Sequence, residues 1–309
     1  MGSSGITNSG TRTKRDLRRV RVFSSAFRGF RCLVVASLLF APLLASAQDV
    51  TRYASAIAQG NSEQKREVLF QIRNFRSENA SRAAVPALRD SDPMVRATAA
   101  ASVIFLPKPE AVAVLAPLLD DRDPFVRKEA AYALGAVESP EAAAPLIRVL
   151  QREKDLEVRA ATAVALGQTG NVSAVEPLLG ILRGRPSEET EFLRRAVARS
   201  IGQIAQITKT SNAYVVTPRN FLPEKEKTLT GEDLTSKFNV FNAAVPVLSS
   251  VLKSGREADD TRREAAYALG EIGSESARSV LESHRNSPDP YLAEITREAL
   301  LTIDAKLKE

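Results

Sequence analysis

DPFVRKEAAYALG, at residues 123–135, returns with small changes as DLEVRAATAVALG at residues 155–167. Looser copies are TRREAAYALG at residues 261–270, LRRAVARSIG at residues 193–202 and DPMVR at residues 92–96. The repeated basic position falls at residues 65, 96, 127, 159, 194 and 262, and an alanine takes it at residue 293. Successive gaps are 31, 31, 32, 35, 68 and 31 residues, which indicates seven copies and one insertion of about 37 residues.

Each copy has the pattern of two consecutive α-helices. In the second helix of the third copy, Asp123 suits the N-cap and Pro124 the first helical position, because proline lacks only an N–H that is unpaired there. One apolar stripe recurs at helical spacing, formed by Val126, Ala130, Ala133, Leu134 and Val137. Glycines near the expected helix ends predict left-handed C-caps or tight turns, at Gly135, Gly167, Gly202 and Gly270.

A single helix pair of this kind cannot bury its own apolar stripe. Small residues such as Ala130 and Ala133 allow neighbouring helices to approach closely, so that the next copy covers the stripe. The sequence therefore predicts an all-α protein, a right-handed α-solenoid of about seven helix pairs. Repeats 1–5 are assigned to residues 48–206, an inserted loop to residues 207–239, and repeats 6–7 to residues 240–309.

The first 47 residues have the composition of an export signal. Eight basic residues and one acidic residue precede an apolar run at residues 32–45, and Ala45-Ser46-Ala47 matches a signal-peptidase site. The apolar run is shorter than the roughly 20 residues of a membrane span. We expect a cleaved signal peptide and no stable membrane span afterwards, with an uncleaved N-terminal anchor as the alternative.

Removal of this leader changes the charge of the chain. The 43 basic and 37 acidic residues of the full sequence become 35 and 36, which is a net charge of −1. Whole-molecule attraction to phosphate is then not expected, and nucleic acid is not a predicted partner. The mature protein is expected to be periplasmic or secreted.

The pattern Asp-Pro-x-Val-Arg-x-x-Ala-Ala-x-Ala-Leu-Gly resembles the HEAT-like repeat of the phycobilin-lyase type, from about residue 50 to 305. The resemblance implies a helical-repeat fold and leaves function open, since such repeats serve many roles. It raises a tetrapyrrole lyase-like activity as an alternative. Related HEAT-like enzymes of the deoxyhypusine hydroxylase type hold two irons through His-Glu motifs, and this chain contains no His-Glu dipeptide.

The inventory of reactive side chains is small. One Cys and one His exclude a disulfide framework, a Cys/His zinc site and a multi-histidine metal centre. His284 stands near a predicted helix end, where an interaction with exposed carbonyls is more usual than catalysis. No glycine-rich phosphate loop occurs. We predict no catalytic residue, no cofactor, no metal and no small-molecule substrate, so the protein is not expected to be an enzyme.

Because no catalytic or metal site is indicated, we look for a surface that could bind a partner. The positions one and five residues after the repeated Arg are expected to face outward on the concave side, where Tyr and Arg suit interfaces. They are Lys128, Tyr132, Ala160, Val164, Arg195, Arg199, Arg263 and Tyr267. The candidate partner-binding set takes six of these residues and three from the insertion: Lys128, Tyr132, Arg195, Arg199, Arg263, Tyr267, Tyr214, Arg219 and Phe221. Two alternatives stay open: the Tyr rings pack on the adjacent turn, and the insertion is a solvated excursion without a role.

The sequence thus predicts an exported, non-catalytic scaffold that binds an unidentified protein or peptide. The repeated Arg is expected to be structural, pairing with the capping Asp of its own or a neighbouring repeat. The alternative function is a tetrapyrrole (bilin) lyase-like enzyme or accessory subunit.

Overall fold

A computed structural model describes residues 50–210 and 232–305. All of them belong to one compact unit, Val50–Glu309. Within this part of the chain, helices are the only regular secondary structure. The predicted leader at residues 1–47 and most of the predicted insertion lie outside the described residues.

Fourteen α-helices of the described residues form seven pairs, as the repeat period predicts. The first helices are α1 (50–59), α3 (Glu78–Ala84), α5 (Lys108–Leu115), α7 (Ala143–Arg152), α9 (Val175–Leu182), α11 (Asn239–Lys253) and α13 (Arg278–His284). The second helices are α2 (Ser62–Phe75), α4 (Pro93–Ser102), α6 (Pro124–Ala136), α8 (Leu156–Thr169), α10 (Glu191–Thr210), α12 (Asp259–Ile272) and α14 (Pro290–Ala305). Helix α10 includes residues 207–210, which the sequence analysis assigned to the insertion.

The capping residues act as predicted. The side chain of Asp123 accepts a hydrogen bond from the backbone N–H of Phe125 at 2.9 Å, and Pro124 is the first residue of α6. Asp92 and Asp155 cap α4 and α8 in the same way. Each cap satisfies a backbone donor that the helix itself leaves unpaired.

The second helices stack on one another along the array. Helix α2 packs on α4, α4 on α6, α6 on α8, α8 on α10, α10 on α12 and α12 on α14. The residues of the apolar stripe are buried, and Val126, Leu134, Leu166 and Leu269 are completely inaccessible to solvent. Burial of each such side chain contributes roughly 1.5–3 kcal/mol. The predicted all-α solenoid fold is confirmed.

The repeated glycines have a different role from the predicted one. Gly135, Gly167, Gly202 and Gly270 lie inside helices, and the left-handed C-caps are Gly170 and Gly273, with φ of 64° and 73°. A Cβ atom at position 270 would lie 2.7 Å from the Cα of Ala299 on α14. These glycines therefore allow the next second helix to approach, because any side chain there would meet its backbone.

The repeated basic residue pairs from one repeat to the next. Lys65 binds Asp90 at 2.7 Å, Arg96 binds Asp121 at 2.8 Å, Arg127 binds Glu153 at 2.7 Å, and Arg194 binds Glu257 at 3.0 Å. We call this series of contacts the ion-pair ladder. The prediction that it would use the capping Asp is wrong for all four pairs. The first three acids lie two residues before the caps of α4, α6 and α8, and Glu257 lies one residue before Ala258, the cap of α12.

The sixth repeat departs from this arrangement. Arg262 stays within its own repeat, where it donates to the carbonyl oxygen of Leu252 at 3.1 Å. The next residue, Arg263, reaches the following repeat and binds Asp289, the capping residue of α14, at 2.7 Å. The ion pair between the sixth and seventh repeats is therefore made by Arg263, one position after the repeated basic residue.

Candidate functional site

Three positions recur on one side of the second helices, and we call the residues at these positions the second-helix face. It consists of the residues two before, one after and five after the repeated basic position. These positions are three and four residues apart, so they share one side of a helix. On α6 they are Phe125, Lys128 and Tyr132, and on α10 they are Phe192, Arg195 and Arg199.

Large apolar side chains recur at the first of these positions. Met94, Phe125, Phe192 and Tyr291 are between 37% and 58% exposed. The predicted binding set does not include this column, because that set was drawn only from the two later positions. A signal was present, since an apolar residue follows the Asp-Pro cap directly in three of the repeats. Recurrence of exposed apolar groups at one repeat position is typical of an interaction surface.

A cation lies over each of the three aromatic rings. The ammonium of Lys128 is 5.4 Å from the centre of the Phe125 ring, and the guanidinium of Arg195 is 5.2 Å from that of Phe192. Arg263 covers the ring of Tyr291, on the next second helix, at 5.2 Å. These distances suit cation–π attraction, which holds the rings in fixed orientations.

Three cations of the second-helix face form ion pairs with the following second helix. Lys128 binds Glu157 at 2.7 Å, Arg195 binds Asp260 at 2.9 Å, and Arg199 binds Glu264 at 2.8 Å. The hydrogen bond from Lys128 to Glu157 raises the pKa of that lysine, with burial opposing it. These positive charges on the face are therefore paired with carboxylates within the molecule.

One predicted member of the set, Tyr267, does not lie on the surface. Its side chain is 4% exposed, and its hydroxyl lies 3.5 Å from Oε1 of Gln206. The ring occupies the space that Gly202 leaves on α10. The expectation that Tyr267 faces outward is wrong, because the missing side chain of Gly202 leaves room in which the ring is buried. Ala160, which was also expected to face outward, is fully buried.

The other predicted binding residues divide into two groups. Lys128, Tyr132, Arg195, Arg199 and Arg263 lie at the second-helix face and are partly exposed. Tyr214, Arg219 and Phe221 lie outside the described residues. Partner binding by either group stays a prediction.

The lone histidine sits where the sequence analysis expected. Nδ1 of His284 is 2.9 Å from the carbonyl oxygen of Val280, one turn earlier in α13. Among residues 50–210 and 232–305, no group of three or more His, Cys, Asp and Glu residues is arranged to hold a metal ion. Nor does any helix in those ranges have the length and apolar character of a membrane span.

Models of helical repeats match two parts of the chain. The model described as "HEAT repeats" matches residues 39–135 and 81–167, and the one described as "PBS lyase HEAT-like repeat" matches residues 261–284. A comparison with curated protein sequences gives no match.

Solved structures share the architecture at low sequence identity. An engineered protein is 22% identical, with 82% of this chain and 68% of that one aligned and a TM-score of 0.52. A mutant of Kap121p is 15% identical, with 81% of this chain and 26% of that one aligned and a TM-score of 0.56. At such identities the likeness establishes the fold alone.

A third solved structure is more distant. The complex of CpcE and CpcF of phycocyanin lyase from Nostoc sp. PCC7120 is 18% identical, covers 82% of this chain and 93% of that one, and has a TM-score of 0.45. That likeness is too remote to bear on function.

The repeat models, the seven helix pairs and the packing between repeats agree with one another. The chain is a HEAT-like repeat protein.

Proposed function

We propose that this protein is an exported, non-catalytic scaffold that binds another protein or a peptide along the second-helix face. The observation that supports this most directly is the column of exposed apolar side chains at one repeat position. Phe125, Phe192 and Tyr291 recur along the array, and each carries a cation above its ring. Aromatic side chains flanked by Arg and Lys are typical of the residues that dominate binding energy at interfaces.

The mechanism is display of pre-ordered side chains. Arg195 contacts the ring of Phe192 and the carboxylate of Asp260 on the next second helix at once. The ring and its cation are therefore partly immobilised before any partner arrives. Side chains that are already ordered lose less conformational entropy on binding, so more of the contact energy appears as affinity.

Export is supported by the leader at residues 1–47. Its basic segment, apolar run and Ala-x-Ala end predict delivery to the periplasm or the medium. Fractionation of cells and mass spectrometry of the mature N-terminus test this part. A mature chain beginning near Gln48 is the expected result, whereas a full-length chain in the membrane fraction would show an uncleaved anchor instead.

The binding proposal is tested with a photo-crosslinking residue at position 192 in producing cells, followed by identification and purification of the crosslinked protein. The double variant Phe125→Ala with Phe192→Ala should weaken that partner's binding by about 100-fold, since truncation of two hot-spot aromatics typically costs a few kcal/mol. The matched control is Leu301→Ala, an exposed apolar residue outside the second-helix face. Equal affinity of the double variant and the unaltered protein contradicts the assignment.

A tetrapyrrole lyase-like enzyme or accessory subunit is the second candidate, because residues 261–284 match the PBS lyase HEAT-like repeat model. Titration of the purified protein with a bilin or with haem distinguishes it from the scaffold. A shifted absorption spectrum with saturable binding would favour the lyase-like candidate. An unchanged spectrum, together with loss of partner binding in the aromatic variant, would favour the scaffold.

A further inference from the structure

One position of the second-helix face alternates between aromatic and acidic residues. It is the position two residues before the repeated basic residue, and from α6 to α14 it carries Phe125, Glu157, Phe192, Asp260 and Tyr291 in that order. The three aromatic side chains are between 37% and 58% exposed. Exposed rings therefore recur on every second one of these helices, with a carboxylate at the same position on the helix between them.

Measured contacts join the last three of these residues. The guanidinium of Arg195 lies 5.2 Å from the centre of the Phe192 ring and 2.9 Å from the carboxylate of Asp260. The same carboxylate accepts a hydrogen bond from Arg263 at 2.6 Å, and the guanidinium of Arg263 lies 5.2 Å from the centre of the Tyr291 ring. The two rings are thus held at the ends of one connected series of side chains that crosses α10, α12 and α14.

The steps from α6 to α14 are alike, because the same close approach occurs at each of them. A Cβ atom built on Gly135, Gly167, Gly202 or Gly270 would lie between 2.7 and 3.1 Å from a Cα atom of the next second helix. The axes of packed helices are about 8–10 Å apart. Successive rings are two such steps apart, which places them at intervals of about 16–20 Å.

An extended polypeptide has the same period. A polyproline II chain rises about 3.1 Å per residue and returns to the same side every three residues, so one turn covers about one helix step. Side chains six residues apart then lie on one side, about 19 Å from each other. In a β-strand, residues six apart also share a side, whereas residues five apart point in opposite directions.

An α-helical partner suits this surface less well. A helix docks along a continuous apolar groove. On the second-helix face, the carboxylates of Glu157 and Asp260 separate the rings, with side chains 75% and 44% exposed. The rings are therefore separate anchor points, which favours contact with single apolar residues of an extended chain.

The charge between the first two rings adds a second requirement. Asp260 is paired with two arginines, whereas Glu157 forms an ion pair with Lys128 alone among the described residues. Because the Glu157 side chain is also the more exposed of the two, a positive charge midway between the anchors at Phe125 and Phe192 complements it.

We infer that the second-helix face binds an extended segment of a protein partner that carries an apolar residue at every sixth position and a basic residue midway between apolar residues. This inference rests on the proposed function and specifies the partner's chemistry. Each apolar residue would contact one of the rings of Phe125, Phe192 and Tyr291, and the basic residue would meet Glu157.

The test uses the full chain and fluorescein-labelled peptides, with binding measured by fluorescence anisotropy. The first peptide has three leucines spaced six residues apart, a lysine midway between each two, and proline and serine elsewhere. The second has the same composition with its leucines five residues apart. The first should bind about tenfold more tightly, since the second cannot place all its leucines on the rings. Equal affinities, or no binding of the first peptide, would overturn the inference.

A third, alanine-based peptide tests the helical alternative. Its leucines are eleven residues apart, which spans about 16 Å in an α-helix. It should bind no more tightly than the second peptide. Tighter binding of this helical peptide than of the first would show that the face takes a helix and would overturn the assignment to an extended segment.

Variants locate the peptide on the face. Phe192→Ala removes the middle ring and should bring the affinities of the first two peptides to within about threefold of each other. Leu301→Ala, at an exposed leucine outside the face, should leave the tenfold difference in place. Glu157→Gln should abolish a preference of about threefold for lysine over glutamine between the leucines. A spacing preference that survives Phe192→Ala contradicts the site.

Failure of this inference is distinguishable from failure of the proposed function. If Phe125→Ala with Phe192→Ala weakens binding of the crosslinked partner but the peptides show no spacing preference, the scaffold function stands and the assignment of the segment is wrong. If the double variant binds that partner with unchanged affinity, both are wrong.

Discussion

Arg194 and Glu257 form the most buried ion pair of the described residues, with side chains only 3% and 4% exposed. They are 63 positions apart in the sequence, and Nε of the arginine lies 3.0 Å from Oε2 of the glutamate. The same guanidinium donates to the carbonyl oxygens of Ile181, Leu182 and Gly184. This pair continues the ladder from the fifth repeat to the sixth, on either side of the extra residues, where α10 packs on α12.

Removal of one member of this pair should be strongly destabilising. Arg194→Met leaves the carboxylate of Glu257 buried without a partner, which typically costs about 3–5 kcal/mol of unfolding free energy. Arg194→Met with Glu257→Met should recover a large part of that loss. Chemical denaturation measures both. The control is Arg183→Met, which breaks the exposed pair with Glu176 and should cost less than about 1 kcal/mol; a similar loss in the two single variants would count against this account.

Replacement of glycine by alanine should have opposite effects on the free energy of unfolding at two glycines that lie inside helices. Gly270→Ala on α12 puts a Cβ 2.7 Å from the backbone of Ala299, so we expect a loss of about 1–3 kcal/mol. Gly180→Ala on α9 meets no atom within 4 Å and should gain about 0.5–1 kcal/mol from helix propensity. Thermal unfolding of the two variants checks the signs. A stabilised Gly270→Ala protein would show that close helix approach does not require this glycine.

The two tyrosines that the sequence analysis treated alike should behave differently. Tyr267→Ala removes a ring that is buried beside Gly202 and should cost about 3–5 kcal/mol of unfolding free energy. Tyr132→Ala, at a ring 36% exposed, should stay within about 1 kcal/mol of the unaltered protein. Urea denaturation of both variants provides the comparison. Equal losses would mean that Tyr132 is also a core residue.

The ladder should make stability depend on pH on the acidic side. The pKa of Asp289 is lowered, first by the hydrogen bond from Arg263, against the opposing effect of burial. A carboxyl group with a lowered pKa in the folded state contributes stability above its unfolded pKa of about 4, and loses it as the pH falls through the lower folded value. Unfolding free energy should therefore decline below about pH 4.

Asp289→Asn isolates this contribution. Asparagine can still cap α14 but cannot carry the charge, so the variant should be less stable at pH 7 and its stability should fall less steeply on acidification. Denaturation at a series of pH values between 7 and 2 measures the slope. Glu189→Gln, at an exposed glutamate, serves as the control. A slope unchanged from that of the unaltered protein would contradict the role of Asp289.

Much of the fold is predictable because its signals are local. Asp-Pro caps fix where a helix begins, and an apolar stripe at helical spacing marks the side it must bury. A stripe that no single pair can cover implies stacking of successive pairs, and the 31-residue period supplies their number. Val126 and Leu134 are buried for this reason, and the cation positions of the ladder are visible in the repeat itself.

The exposure of each surface side chain depends on how closely neighbouring helices approach. The sequence of a single repeat does not determine that distance. Because Gly202 on α10 has no side chain, the Tyr267 ring of α12 packs against it and is buried. Tyr132, at the same repeat position on α6, stays at the surface. The ladder's acids lie in the following turn, and with the longer turn before α10 no carboxylate of residues 50–210 and 232–305 pairs with Arg159. The sequence by itself determined the helices and their succession. Tertiary packing decided which side chains were covered, which were paired and which stayed exposed, because those outcomes depend on contacts between repeats.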